Sequence, residues 1–400
     1  MTCDTAIVGG GAAGLFAACF LKKNGADFLL LEKNSECGKK LLVTGHGRCN
    51  ITNLKTPQEL KKGYHEAANF IYPAISGFAP SDCVEFINKE LKIRTKTEEN
   101  DRVFPVSDKA SDVRDAMVRY VGADHIKTGF ECVSIKPEDG VFTVSSKVGD
   151  TITCRHLILS CGGRSYPQTG SDGSGFDLAA SLGHTIVAPR AALSPVKTNE
   201  GFCLPLAGVT AENTVLSLWY DGKKQAAYTG SVLFTHSGLS GPATLELSRE
   251  IPAEITGETY ILANFAAGLT EQEFASAVNS NPNTKIVNLV AEYVPKSLAS
   301  AVCGDDDIYC KDVRSACRKD IFRKLTEMRF DITEKPDIRT AYCTRGGVKL
   351  SELDRRSYES KIIPNLYIIG DNTDVDGISG GYNLAFASSS AYFAVKSVLS

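Results

Sequence analysis

The sequence contains no C-x-x-C motif, although it has 13 cysteines spread from Cys3 to Cys343. This absence argues against a zinc ribbon and against a C-x-x-C disulfide reductase. Cys303, Cys310 and Cys317 recur every seven residues, a spacing that would form one stripe on a helix and is more typical of packing than of a metal site. We therefore predict no metal. Scattered cysteines without a framework indicate a reducing compartment, and we expect a cytoplasmic protein.

Long hydrophobic runs are also missing, because no apolar stretch approaches the roughly 20 residues of a membrane span. We expect no membrane association, and no signal peptide fits before the first apolar strand. The formal net charge of −3 gives no general reason to expect nucleic-acid binding, although a local basic patch would still allow it. Length and composition are typical of a globular protein with two or three domains.

What the sequence does contain is a dinucleotide-binding pattern from Thr5 to Glu32. An apolar run leads into G-x-G-x-x-G at Gly9, Gly11 and Gly14, a helical segment follows, and a second apolar run ends in an acid. This order is the signature of a βαβ nucleotide-binding unit. Gly9 permits the tight turn, Gly11 leaves room for a pyrophosphate, and Gly14 lets the helix pack close to the sheet.

The start of that helix predicts a phosphate site. Free N–H groups near Ala12 and Ala13, together with the helix dipole, would hold phosphate oxygens. Glu32, followed by Lys33, lies where a carboxylate accepts hydrogen bonds from ribose hydroxyls. A lone glycine motif is weak, but here the strand, the helix and the spaced acid agree.

Two later strands end in the same manner. The strand over 151–160 leads into Cys161 and Gly162, and the strand near the C-terminus leads into Gly370 and Asp371. A second glycine-rich turn then precedes the last helix, whose first residues are Gly381, Tyr382 and Asn383. The C-terminal residues therefore complete the first domain. We predict a nucleotide-binding domain from 1–190 and 343–400, a β-rich insert from 191–265 and 328–342, and within it a helical insert from 266–327.

These three features together resemble the two-dinucleotide-binding-domain flavoproteins of the glutathione reductase type. In those proteins FAD lies extended across the parallel sheet, an acid at the position of Asp371 bonds a ribityl hydroxyl, and the last helix points its N-terminus at the flavin. No second G-x-G-x-x-G follows Gly175. The resemblance therefore implies that NAD(P)H, if it is the donor, docks transiently over the flavin.

Longer motifs are similar to one flavoprotein family, the aminoacetone oxidase-like or bile-acid dehydro-reductase-like NAD(P)/FAD-dependent oxidoreductases. The motifs cover nearly the whole chain and occupy residues 38–42, 47–53, 235–242, 344–348 and 374–384. The resemblance implies an α/β fold: a Rossmann-like FAD-binding domain of the glutathione reductase type, with an inserted β-barrel-like domain that carries a helical insert.

Two departures from the family pattern affect the expected site. The family loop commonly reads Ser-Gly-Gly-Gly-Arg-Cys-Asn, whereas this chain has His46 between Gly45 and Gly47. The histidine adds a titratable group to a loop that should lie beside the flavin. The family often has Glu where this chain has Asp371, and Asp keeps the acceptor role.

The resemblance also extends the predicted FAD-binding set. Lys40 and Arg48 are expected to neutralise phosphate or to stabilise reduced flavin; the alternative is a solvated basic loop. The set predicted beyond the glycine turns is Lys33, Lys40, Leu41, Gly47, Arg48, Asn50 and Val133.

Three residues are candidates for catalysis. Cys49 could donate a proton to a substrate carbon, or it could be a small buried thiol that packs against the flavin. His46 could act as an acid or base, or could point into solvent. Arg345 lies where the chain re-enters the first domain and could bind a substrate carbonyl or carboxylate.

The predicted activity is that of an FAD-dependent oxidoreductase that reduces a carbon–carbon double bond conjugated to a carbonyl in a small molecule, with NAD(P)H as donor. The family resemblance also implies two other reactions: reduction of a uracil ring in ribosomal RNA, which the acidic composition disfavours, and amine oxidation that returns electrons to oxygen. The alternative that is not an enzyme is a flavin-bearing sensor or binding protein without turnover.

Overall fold

The computed structural model describes residues 1–199, 201–255, 257–304 and 307–400. Within these ranges the strands are β1 (Thr2–Val8), β2 (Phe28–Glu32), β3 (Thr52–Asn53), β4 (Thr95–Glu98), β5 (Arg102–Pro105), β6 (Ile126–Thr128), β7 (Cys132–Glu138), β8 (Val141–Ser146), β9 (Thr151–Leu159), β10 (Ile186–Ala192), β11 (Val196–Lys197), β12 (Thr210–Tyr220), β13 (Lys223–Thr235), β14 (Gly238–Ser240), β15 (Thr259–Asn264), β16 (Met328–Asp331), β17 (Cys343–Val348) and β18 (Leu366–Ile368).

The α-helices, in the same described ranges, are α1 (Ala12–Lys23), α2 (Pro57–Lys61), α3 (Ala68–Gly77), α4 (Pro80–Lys89), α5 (Ala110–Val121), α6 (Ser174–Ser181), α7 (Pro242–Ser248), α8 (Glu271–Ser280), α9 (Ile286–Val290), α10 (Lys296–Cys303), α11 (Ser315–Thr326) and α12 (Tyr382–Val398). No helix in the described ranges has the length and apolar composition needed to cross a membrane. The chain divides into two compact units: Met1–Arg190 with Tyr342–Ser400, and Ala191–Ala341.

The first unit is built on a sheet with the strand order β6-β2-β1-β9-β8-β7. β2, β1 and β9 run parallel, with Ala6 opposite Leu29 on one side and Leu157 on the other. All five residues of β2 are buried. Strands that are apolar along their whole length are typical of a parallel sheet covered on both faces, and this burial explains the apolar runs in the sequence.

On the side away from β1, β9 pairs with two different strands, β8 and β18. Its first half pairs antiparallel with β8, for example Thr151 with Ser145, and its second half pairs parallel with β18. Because β18 joins the sheet through Leu366–Ile368, the C-terminal segment returns to the nucleotide-binding sheet. The carboxyl ends of β1, β2, β9 and β18 therefore lie along one edge.

Helices α1 and α12 cover one face of this sheet. The ring of Phe20 on α1 lies 5.6 Å from that of Tyr392 on α12, and both helices contribute to one hydrophobic core. The many alanines and serines of α12 are buried, which allows close helix packing. This packing fixes the direction in which the N-terminus of α12 points.

The second unit contains an antiparallel sheet with the order β11-β14-β13-β12-β15-β16. Its two edges are joined beyond the strand ends, since Asn199 N–H donates to Asp331 O at 3.2 Å and Thr333 N–H donates to Lys197 O at 3.2 Å. The sheet thus closes on itself in the manner of a barrel. Helices α8 to α11 lie between β15 and β16 in the chain, and the unit has its own hydrophobic core.

The three cysteines at seven-residue spacing do not share a helix. Cys310 lies in a short 3₁₀ turn between α10 and α11, so the spacing does not produce one stripe on a helix.

Candidate functional site

A cavity of about 420 Å³ opens at the carboxyl edge of the parallel sheet in the first unit. This volume is within the usual range of small-molecule and cofactor sites. Fourteen of the residues predicted to bind a cofactor line it: Gly9, Gly11, Ala12, Ala13, Glu32, Lys33, Lys40, Leu41, Val133, Cys161, Gly162, Gly370, Asp371 and Asn383.

The glycine turn between β1 and α1 has the shape that a pyrophosphate requires. Gly9 has φ +104°, and a Cβ at Gly14 would lie 1.9 Å from Gly9 O, so both positions need glycine. A Cβ at Gly11 would meet only Ser160 O at 4.0 Å and would project into open space. That open space, above the N-terminus of α1, is the cradle in which a phosphate group fits.

Glu32 organises the same end of the cavity. Its buried carboxylate accepts hydrogen bonds from Gly10 N–H at 2.8 Å, Asn34 N–H at 2.8 Å and the Asn34 side-chain amide at 2.7 Å. Two carboxylate oxygens provide about four acceptor positions, so acceptor capacity is left for a ligand hydroxyl. Ser171 Oγ, which also lines the cavity, is buried without a hydrogen-bond partner among the described residues. An orphaned hydroxyl of this kind fits a site that is completed by a polar ligand.

Two cations in the lining of the cavity are held by acids. Lys40 Nζ donates to Ser165 Oγ at 2.7 Å and lies 3.3 Å from Asp371 Oδ2. Lys33 Nζ lies 2.7 Å from Asp172 Oδ2. Both lysines are partly buried, so their charges are screened less than those of a fully solvated loop.

The N-terminus of α12 contributes to the cavity through Asn383 and Leu384. The Asn383 amide clasps the preceding loop, accepting from Gly377 N–H at 2.8 Å and donating to Gly377 O at 3.0 Å. When the Asn50 amide is oriented so that both its nitrogen and its oxygen have hydrogen-bond partners, its oxygen accepts from Gly381 N–H at 3.0 Å. Asn50 and Gly381 therefore set the position of the helix start without lining the cavity themselves.

The remaining predicted cofactor residues lie away from the cavity. Arg48 is ion-paired with Glu98 and, at 2.6 Å, with Asp108, and it lies over the Phe104 ring. These contacts hold the guanidinium of Arg48 within the loop and outside the cavity lining, and its contact with the cofactor stays a prediction. The other three are Gly47; Gly14, which packs against Gly9; and Tyr382, which is buried and whose backbone O accepts from Tyr64 OH at 2.7 Å.

None of the three predicted catalytic residues lines the cavity. Cys49 is 1% exposed, and burial raises the pKa of its thiol to about 12; of the two alternatives for this residue, the burial supports packing. Arg345 lies 3.3 Å from Glu66 Oε1, outside the cavity. His46 is exposed, and its ring lies 6.4 Å from that of Tyr342, which does line the cavity.

Several lining residues were missed by sequence reasoning. Tyr342 and Cys343 come from the chain that re-enters the first unit, and Thr44 comes from the loop after β2. Ser174 and Asp177 come from α6. The Asp-Gly-Ser-Gly run before α6 was a usable signal, whereas nothing local marks Tyr342. Among the described residues no group of three or more His, Cys, Asp or Glu side chains could hold a metal ion.

Residues 3–397 match the HI0933-like protein Rossmann domain. The chain belongs to this family, which is one of FAD-dependent oxidoreductases.

Two curated relatives match over nearly full length. The chain is 29% identical to a ribosomal RNA dihydrouridine synthase of Escherichia coli (strain K12), over 99% of this chain and 98% of the relative. It is 28% identical to a 3-dehydro-bile acid delta(4,6)-reductase of Clostridium scindens, over 97% of each. Among solved structures, 3-ketosteroid delta1-dehydrogenase from Sterolibacterium denitrificans has a TM-score of 0.53 at 14% identity, covering 99% of both chains, a likeness of fold.

The residues present fit FAD. The cradle at Gly11, the orphaned Ser171 hydroxyl and the carboxylate of Glu32 lie in one cavity with the Lys40–Asp371 pair. This donor and acceptor set matches a ligand that has phosphate, ribose and polar ring atoms.

Proposed function

We propose that this protein reduces a carbon–carbon double bond conjugated to a carbonyl group, with FAD as its cofactor and NAD(P)H as donor. Both curated relatives are named for reactions of this type. Dihydrouridine arises when the ring double bond conjugated to a uracil carbonyl is saturated, and the delta(4,6) double bonds of a 3-dehydro bile acid are conjugated to its 3-oxo group. The observation that carries the proposal is the polar end of the cavity, where Lys40, Asp371 and the first turn of α12 line one site.

Bound FAD would supply the electron chemistry, taking up electrons from NAD(P)H and passing a hydride to the β carbon of the substrate, while a proton from a protein acid or water would go to the α carbon. The protein's part is electrostatic and positional. The N-terminus of α12 carries the partial positive charge of the helix dipole, and Lys40 adds a formal charge nearby. Preorganised positive charge of this kind stabilises a developing anion. The proposed FAD-binding residues are the fourteen that line the cavity.

The donor is proposed to bind transiently. The sequence has one G-x-G-x-x-G turn, at Gly9 to Gly14, and in this proposal that turn binds FAD. NAD(P)H would therefore dock over the exposed side of the cavity and leave after each reduction, and the unsaturated substrate would take its place. Neither NADH nor NADPH is favoured by a described contact.

The test is an anaerobic absorbance titration of the purified holoprotein. We expect NADPH or NADH to bleach the flavin band, and a conjugated ring enone or a uridine-containing RNA to restore it. A flavin that neither nucleotide reduces would contradict the donor assignment. A flavin that is reduced but reoxidised only by oxygen would contradict double-bond reduction and favour an oxidase.

Uridine in RNA is the second candidate substrate, and a surface of the second unit favours it. Residues 311–324 contain six cations and two acids, in a chain with a net charge of −3. Arg314 and Arg318 lie one helical turn apart at the start of α11, and Arg318 donates to the neutral Asn279 side chain at 3.2 Å. In the described parts of the chain neither arginine is ion-paired with a carboxylate. A basic stripe with uncompensated arginines suits phosphate contacts.

A further inference from the structure

Three aromatic side chains of the first unit cluster at the cavity. The ring of Tyr342 lies 5.9 Å from that of Tyr166, at 49°, and 6.4 Å from that of His46, at 61°. Tyr342 lines the cavity, Tyr166 is half-buried and His46 is exposed. The cluster therefore begins at the cavity wall and continues to an exposed side chain.

The two tyrosines are held on segments that are bonded together. Thr344, two residues after Tyr342, accepts hydrogen bonds at its Oγ1 from Arg164 N–H at 2.8 Å and Ser165 N–H at 3.1 Å. The Thr344 side chain is buried, and a Cβ at Gly163 would lie 2.4 Å from its Oγ1. Because these bonds fix both backbones, the rings have defined positions rather than those of free surface side chains.

The same segment is connected to the polar end of the cavity. Ser165 precedes Tyr166, and its Oγ accepts from Lys40 Nζ, which also pairs with Asp371. Asp371 lies in the turn that follows β18. The aromatic cluster and the Lys40–Asp371 pair are therefore connected through Ser165, which places aromatic rings and charged groups at the same cavity.

Two of the fourteen non-glycine residues with positive φ in the described chain belong to the cluster. Tyr166 has φ +54° and His46 has φ +56°, both in the left-handed region that favours glycine. His46 stands between two glycines that are also left-handed, Gly45 at φ +56° and Gly47 at φ +83°. Non-glycine residues held in this region are concentrated at functional sites, where the side chain has a use that outweighs the strain.

We propose that Tyr342, flanked by Tyr166 and His46, is the substrate subsite and binds a flat conjugated ring that carries a carbonyl group. The ring of the substrate would stack on Tyr342, as bases and other planar rings stack on aromatic side chains. Burial and the neighbouring Tyr342 phenol raise the pKa of Tyr166, so its hydroxyl keeps its proton in the neutral range and can donate a hydrogen bond to a carbonyl oxygen. This inference rests on the proposed function, because it assigns the substrate of that reaction to a wall of the same cavity.

The experiment is equilibrium dialysis of the oxidised holoprotein, which measures binding without turnover. The probes are 4-androstene-3,17-dione, a ring enone, and uridine. We expect Tyr342→Ala to raise the Kd of the bound probe at least about fivefold, the lower end of what stacking on one aromatic ring contributes. Tyr342→Phe keeps the ring and should stay within about threefold of the wild type. Tyr309→Ala, which removes an exposed tyrosine of the second unit, is the matched control and should leave the Kd unchanged.

His46→Gly is a second variant that tests the subsite even if Tyr342→Ala destabilises the protein. Glycine adopts φ +56° freely, so this variant should be at least as stable as the wild type. We expect its Kd to rise about threefold from the lost edge contact with the Tyr342 ring. Tyr342→Ala and His46→Gly variants that retain flavin and bind the probe within about twofold of wild type would overturn the subsite, as would a wild-type protein that binds neither probe at millimolar concentration.

Failure of the subsite and failure of the proposed function can be told apart. If the wild type reduces a probe with NAD(P)H while Tyr342→Ala has unchanged Kd and kcat/KM, the reaction stands and the subsite is wrong. If the wild type binds a probe through Tyr342 but reduces none, the subsite stands and the assigned reaction is wrong.

Discussion

The ammonium group of Lys40 lies 3.3 Å from the carboxylate of Asp371, although 331 positions separate them in the chain. Lys40 belongs to the loop after β2, and Asp371 follows β18. Because both strands run in the same direction in the parallel sheet, their carboxyl ends meet at one edge, where α/β folds bind ligands. The pair thus joins the first and last segments of the nucleotide-binding unit at the cavity.

Replacing this lysine should weaken FAD binding. Lys40→Gln removes a partly buried cation that faces the cavity, and we expect the Kd for FAD to rise about tenfold or more, the value of a charge-assisted hydrogen bond. Flavin fluorescence during titration of apoprotein with FAD gives the Kd. Lys89→Gln is the matched control, since Lys89 pairs with Glu85 on the exposed surface and neither residue lines the cavity. Equal FAD affinities in both variants would remove Lys40 from the proposed cofactor set.

Filling the phosphate cradle should abolish FAD binding while the fold survives. A side chain at Gly11 projects into open cavity space, and the backbone there has φ −75°, which valine accepts. We expect purified Gly11→Val to be colourless, with the circular dichroism spectrum of wild-type apoprotein. Gly201→Val, where a Cβ also meets nothing within 4 Å, should remain yellow. A Gly11→Val protein with full flavin content would place the pyrophosphate elsewhere.

Cys49 should be dispensable for catalysis. Its thiol is buried and does not line the cavity, and its raised pKa keeps it protonated. Cys49→Ala should lower the free energy of unfolding by ~1 kcal/mol, the usual effect of removing one buried heavy atom, and leave kcat within about twofold. A loss of kcat above about a hundredfold with flavin content retained would show instead that the thiol takes part in a chemical step.

Some parts of the site could be predicted from the sequence and others could not. The turn from Gly9 to Gly14 and the acid at Glu32 could be predicted because their roles depend on local backbone geometry and short spacing. Lys40 and Asp371 were each predicted from the motifs around them, but their pairing depends on strand order, which no local pattern contains. Tyr342 was missed for the same reason: its neighbours come from two distant segments.

The direction of each side chain in the glycine-rich loop is the feature that the sequence did not reveal. Arg48 and Cys49 stand in the glycine-rich loop that was expected to contact the cofactor, and the loop does approach the cavity through Leu41 and Thr44. A sequence does not show which way each side chain of an irregular loop points. Here Cys49 turns into the core at φ +61°, and Arg48 turns towards Asp108.

If RNA is a substrate, the basic surface of α11 should control its affinity and salt dependence. We expect the double variant Arg314→Gln with Arg318→Gln to weaken binding of a uridine-containing RNA and to lower the slope of log K against log salt by about 1 for each lost phosphate contact. Fluorescence anisotropy at several salt concentrations gives the slope. The charge-matched control is Lys223→Gln with Lys224→Gln, which changes two exposed lysines at the start of β13. Identical slopes for the two double variants would contradict a specific role of α11.

The stability of the first unit should fall as the pH drops below the ordinary pKa of histidine, because of His184. Its side chain is fully buried, with Nδ1 3.1 Å from Glu352 Oε2 and Nε2 2.9 Å from Ser360 Oγ. Burial lowers the pKa of His184, and Glu352 opposes this shift only in part. The unfolded chain therefore takes up a proton at a higher pH than the folded chain does, so the stabilisation is complete above about pH 6.5 and shrinks as the pH falls towards the folded pKa. Urea unfolding of wild type and His184→Gln at pH 7.5 and pH 5.5 isolates the effect, since every other group titrates in both proteins. We expect the free-energy difference between them to be smaller at pH 5.5, whereas a difference that stays constant or grows would mean that folding does not lower the pKa of His184.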